Sequence, residues 1–209
     1  IPRTMKFSLE VLLKLALCAY VCMQHFASSF SIRQEKARQE FAGVAEPRFE
    51  TYEVDGRLMH YVEVGREEGP LLVFVHGSPG AWNAWTTQMK NERFLERFRV
   101  VAVDRPGFGR SDQGRPEPSV AEQARILEPV LRSAGGRGAI LAGHSYGGPV
   151  VARLAMDYPE LVSGIVILAG SVDPELEEWM WFNRLADTWL VRAILAADWD
   201  VSNQEIKAL

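Results

Sequence analysis

The chain has 209 residues, 47% hydrophobic and 24% charged, with a net charge of −4, the composition of a globular protein with one good core. It carries no long basic run and no RNA-binding signature, so nucleic acid is not an expected partner. The two cysteines, Cys18 and Cys22, have no second Cys or His pair at ligand spacing, so neither a disulfide framework nor a metal site is expected.

Charge divides the chain. Residues 1–40 carry Arg3, Lys6, Lys14, Arg33, Lys36 and Arg38 against Glu10, Glu35 and Glu40, a net of plus three that leaves minus seven for the remainder. Within this part, residues 7–23 (FSLEVLLKLALCAYVCM) form an apolar run between basic residues and the small residues Ala27-Ser28-Ser29. Residues 1–30 therefore read as a signal peptide or membrane anchor, which implies membrane association through residues 7–23 and an exported or anchored protein. The alternative is an amphipathic helix with a Glu10–Lys14 pair, packed on the domain or on a membrane surface, because the uninterrupted part, Leu15 to Met23, is shorter than the ~20 residues a spanning helix needs; a protein neither exported nor anchored would be cytoplasmic. Residues 31–46 read as a polar helical linker ended near Gly43.

From Phe49 the pattern changes to short β segments. FETYEV and RLMHYVEV flank Asp55-Gly56, a strong hairpin signal. The runs at 71–76, 98–104, 138–144 and 163–170 are continuously apolar, as strands buried on both faces would be. Helices are expected over 119–134, opened by a Ser119–Glu122 capping box and kinked at Pro129, and over 146–158, with Pro149 in its first turn. The alternation predicts an α/β fold, a mostly parallel sheet that starts with an antiparallel hairpin and carries helices on both faces. Residues 47–172 form this core. Residues 173–209 read as the start of a helical cap, with Trp179, Trp181, Trp189 and Trp199 either packing a core or lining an apolar pocket.

Three motifs carry the chemistry. GHSYGG (143–148) places Ser145 between a strand and a helix; Gly143 and Gly147 leave room for a strained turn that would push the hydroxyl outward as a nucleophile. HGSPG (76–80) ends the third strand, where the Ser78 N–H could join the Tyr146 N–H as an oxyanion donor, with His76, Gly77 and His144 as supporting residues. DRPGFGRSD (104–112) follows the fourth strand. In this order the three motifs resemble the α/β-hydrolase superfamily, over about Phe49 to Gly170. The resemblance implies an eight-stranded fold and a serine, acid and histidine triad in that chain order, with the Asp104 loop mainly architectural. The HG-x-PG form resembles the branch of proline iminopeptidases and epoxide hydrolases. Epoxide hydrolases use an aspartate nucleophile, so Ser145 points instead to hydrolysis of an ester, thioester, lactone or amide through an acyl-enzyme. The aromatic cap hints at an apolar small-molecule acyl substrate, and with no metal-ligand cluster or dinucleotide fingerprint in the sequence no cofactor is expected.

A serine nucleophile needs a general base, and none of the four histidines (His25, His60, His76 and His144) follows Ser145. Asp173 is a candidate acid, with helix capping before Pro174 as the competing reading. The expectation is a fragment of a longer hydrolase, lacking its last strands and nearly inactive by itself. A non-catalytic binding protein on the same fold is the alternative, with a cofactor-free haloperoxidase or acyltransferase as a third reading.

Overall fold

The structure, a computed structural model, describes residues 32–112, 115–134, 138–170 and 172. The leader segment, the cap segment, His25 and Asp173 lie outside the described residues.

The first described element is helix α1 (Gln34–Phe41), within the segment read as a linker. It is polar except at Ala37 and Phe41, four residues apart on one face, and both are fully buried against Trp82 and its neighbours. Strands β1 (Arg48–Val54) and β2 (Arg57–Gly65) form the expected hairpin, with Asp55 and Gly56 at φ 50° and 67°, as a type I′ turn requires. Next come β3 (Leu71–Val75), a 3₁₀ turn (Trp82–Trp85), α2 (Thr86–Met89), α3 (Glu92–Arg97) and β4 (Arg99–Val103). The chain continues through α4 (Val120–Arg132), β5 (Ala139–His144), α5 (Gly147–Asp157) and β6 (Val162–Leu168).

Six strands make one sheet in the order β1-β2-β4-β3-β5-β6, antiparallel at β1/β2 and β2/β4 and parallel from β4 onward. Alternation along the central strands builds two cores. Leu71, Val73 and Val75 of β3 pack with Ile126, Leu127 and Val130 of α4 and Val150 and Leu154 of α5. Leu72 and Phe74 face the other side, with Phe41, Trp82, Trp85 and Met89. Every residue of β3 is buried, and each large apolar side chain so placed contributes about 1.5–3 kcal/mol. The run at 163–170 forms β6 but, contrary to the expectation of burial on both faces, leaves Ile165, Val166 and Leu168 exposed, because β6 is the last strand of the described sheet and pairs with β5 alone.

The Ser119 cap forms, its Oγ accepting from the Glu122 N–H at 3.3 Å. The reciprocal arm of the box does not, because the Glu122 carboxylate bonds Arg125 Nε at 2.9 Å. Pro129 lies inside α4.

Candidate active site

Three chain reversals meet at the C-terminal ends of β3, β4 and β5, the edge where open α/β sheets place their ligands. Ser145 stands between β5 and α5 at φ 50°, in the left-handed region that costs a side-chain-bearing residue about 1–2 kcal/mol. Its backbone is fixed from both sides: the Ser145 N–H donates to Leu168 O at 2.9 Å, and the Gly148 N–H donates to Ser145 O at 2.8 Å. The turn is too tight for side chains. A Cβ on Gly143 would stand 2.3 Å from Gly147 O, and one on Gly147 would stand 2.3 Å from Val75 O.

The HGSPG loop closes over this turn. A Cβ on Gly77 would lie 2.9 Å from Ser145 Cβ and 3.1 Å from His144 Nδ1, so the loop backbone runs directly against the serine. Ser78 and Tyr146 thus flank Ser145 from the loop and from the elbow. Among the described residues, neither the Ser78 N–H nor the Tyr146 N–H is taken up by a protein acceptor.

The described histidines have settled roles. His76 is fully buried; its Nε2 accepts the Arg105 N–H at 3.0 Å, which leaves Nδ1 to donate to Gly77 O at 2.7 Å. Burial, helped by the Arg105 charge, pushes its pKa down to about 4. It is a neutral strut in the loop with both ring nitrogens occupied. His60 is buried on β2 and bonded to Asp104. His144 is exposed beside Ser145, its ring edge-on to Trp85 at 6.5 Å. With Ala84, Gln88, Leu168 and His76 these two rings line an open cavity of about 290 Å³. Among the described residues no cluster of His, Cys, Asp or Glu could hold a metal ion.

One residue at the centre of this arrangement carries no signature in the sequence. Arg105 is 1% exposed, between the Phe108 ring at 4.5 Å and the Tyr146 ring at 4.7 Å. Its guanidinium bonds His76 O, Gly77 O, Ser78 Oγ and Gln123 Oε1 at 2.9–3.0 Å. Asp104 is fully buried and accepts from the Trp82 N–H at 2.7 Å and the Arg110 N–H at 3.0 Å, in keeping with an architectural loop.

Residues 70–198 match the family of the alpha/beta hydrolase fold. Among curated proteins, the chain is 34% identical to Epoxide hydrolase 1 of Caenorhabditis elegans over 52% of its own length and 27% of that protein's. It is 32% identical to Epoxide hydrolase 4 of Mus musculus, over 54% of itself and 32% of that protein. The chain therefore spans about a third of the length of the curated relatives it matches. Among solved structures, a membrane phospholipase A described as a bacterial virulence factor is 29% identical with a TM-score of 0.58, over 80% of this chain and 52% of that one. Est816, an N-acyl homoserine lactone degrading enzyme, is also 29% identical, with a TM-score of 0.52 over 60% of this chain and 49% of that one. The sheet order, the elbow at Ser145 and the match over residues 70–198 agree: the chain belongs to the α/β-hydrolase fold family.

Proposed function

We propose that the protein of which this chain forms a part is a serine hydrolase that cleaves an ester, thioester, lactone or amide through an acyl-enzyme on Ser145. The observation that carries this reading is a hydroxyl-bearing residue at φ 50° on the strand-to-helix corner, against the Gly77 backbone. In the proposed reaction, Ser145 Oγ attacks the acyl carbonyl and its proton passes to a histidine from outside the described residues. The Ser78 and Tyr146 N–H groups receive the tetrahedral oxyanion, whose collapse breaks the acyl bond and expels the alcohol, thiol or amine with the proton returned by that histidine; water, giving its proton to the same histidine, then attacks the acyl-enzyme, releases the acid and restores the Ser145 hydroxyl. The sequence relatives are named epoxide hydrolases, yet a serine in place of a carboxylate favours acyl transfer. The likeness to the phospholipase and to the lactone-degrading enzyme supports the same choice. So does the partly apolar cavity beside His144, which suits an apolar acyl group.

Labelling of the full-length protein with a fluorophosphonate, in parallel with turnover of a p-nitrophenyl ester and of styrene oxide, tests this reading. The expected result is a label on Ser145 and ester turnover that Ser145→Ala reduces by about 10³-fold or more. Epoxide opening without a label overturns it; neither label nor turnover favours a non-catalytic binding protein.

Membrane association through residues 7–23 belongs to the same proposal, supported by the likeness to a protein named a membrane phospholipase. No helix among the described residues is long and apolar enough to cross a membrane. Vesicle flotation of the full-length protein with and without residues 1–30 tests it, with loss of flotation expected on deletion.

A further inference from the structure

We propose that Arg105 is a positioning residue for the oxyanion site, aiming the Ser78 N–H by holding the Gly77 carbonyl on the opposite side and placing a buried positive charge behind both donors. The inference rests on the acyl-hydrolase reading and adds to it a residue from the loop treated above as architectural.

Gly77 C=O and Ser78 N–H belong to the same trans peptide group, so fixing the oxygen fixes the opposite direction for the hydrogen. Two donors fix that oxygen: Arg105 Nη2 at 3.0 Å and His76 Nδ1 at 2.7 Å. Donors on the carbonyl also polarise the peptide and strengthen its N–H as a donor. Arg105 Nε holds the preceding carbonyl, His76 O, at 2.9 Å, and a second Nη2 bond holds Ser78 Oγ at 2.9 Å. One planar fork therefore orders three consecutive residues of the loop. Its face meets the Tyr146 ring at 4.7 Å, so the same group touches both residues that carry the proposed donors.

The charge itself is exceptional. A buried guanidinium ordinarily pairs with a carboxylate. Among the described residues no carboxylate ion-pairs with Arg105, and its hydrogen-bond acceptors are carbonyls, a hydroxyl and an amide. Burial lowers its pKa to about 10, with Tyr146 opposing the shift, so it stays charged at neutral pH. An anion forming between Ser78 and Tyr146 would meet this charge through a weakly screening interior.

The test compares wild type, Arg105→Met and Arg105→Lys in the full-length protein. A fluorophosphonate counts functional sites, and kcat and KM for p-nitrophenyl butyrate are then expressed per labelled site. We expect Arg105→Met to reach the same labelling endpoint more slowly. Its kcat per site should fall about 10- to 100-fold with KM little changed, less than the about 10²–10³-fold cost of deleting an oxyanion donor. Arg105→Lys, which keeps the charge but loses the fork, should fall between the two. Unchanged kcat per labelled site in either variant overturns the proposal, as does a loss confined to the endpoint, the mark of a purely structural role. If Arg105→Met does not fold, Arg105→Lys decides on the same criterion. Failure of the wild type to label overturns the acyl-hydrolase reading, and this inference with it.

Discussion

His60 Nδ1 lies 2.8 Å from Asp104 Oδ2, and both side chains are buried. The pair has the composition of two of the three members of a catalytic triad but sits inside the fold, with His60 stacked on Phe49 at 6.3 Å. Asp104 gathers the His60 ring, the Trp82 N–H and the Arg110 N–H, and so ties β2, the 3₁₀ turn after the HGSPG loop and its own loop together.

Asp104→Ala should therefore act on stability. Removing the carboxylate leaves two buried donors, the His60 ring and the Trp82 N–H, and the part-buried Arg110 N–H unpaired, and the loss should reach about 3–5 kcal/mol in urea unfolding. A loss under about 1 kcal/mol would show that the loop holds its shape without this anchor.

The elbow strain can be measured directly. Ser145→Gly removes the Cβ that makes φ 50° unfavourable, while Ser145→Ala keeps it. The glycine variant should be the more stable of the two by about 1 kcal/mol. Equal stabilities would mean that the turn stores no strain at this residue.

Two glycine substitutions should separate. A Cβ on Gly147 meets Val75 O at 2.3 Å, whereas one on Gly164 meets nothing within 4 Å. Gly147→Ala should destabilise by about 2 kcal/mol or more, and Gly164→Ala by less than about 0.5 kcal/mol. Similar thermal shifts for both would contradict the close packing of α5 on β3.

His76 gives the fold a specific acid sensitivity. Its folded pKa of about 4 lies below the ordinary 6.5. Between these values the unfolded chain binds a proton that the folded chain refuses, so stability falls as pH drops through that window, by about 3 kcal/mol in all. The stability it contributes is fully present above pH 6.5. His76→Gln should flatten the fall between pH 6.5 and 4.5; an unchanged slope would assign it to other groups.

The sequence made the frame of the site legible and left its interior hidden. Asp55-Gly56, the apolar runs that become β3, β4 and β5 and the two elbow glycines each impose one local geometry, and each appears where expected; the run at 163–170 forms its strand but is not buried on both faces. The region between β3 and β4 has no such clarity. It folds as α2 and α3, four and six residues long, too short for a helical period to register. Helix α1 reads as a linker because only Ala37 and Phe41 are apolar on its buried face. Arg105 is hidden for a different reason: a lone arginine beside Pro106 looks like a solvated turn residue, and its burial depends on the nearby Phe108 ring together with four acceptors and the Tyr146 ring from distant parts of the chain.

The hydrogen bond from the Ser145 N–H to Leu168 O has a further use. It turns one amide proton into a gauge of the whole sheet end. That proton can exchange with deuterated solvent only when the elbow parts from β6, so its exchange rate reads the frequency of that opening. Anything that seats against β6, whether another part of the polypeptide or a bound molecule, would slow this exchange without touching the serine hydroxyl.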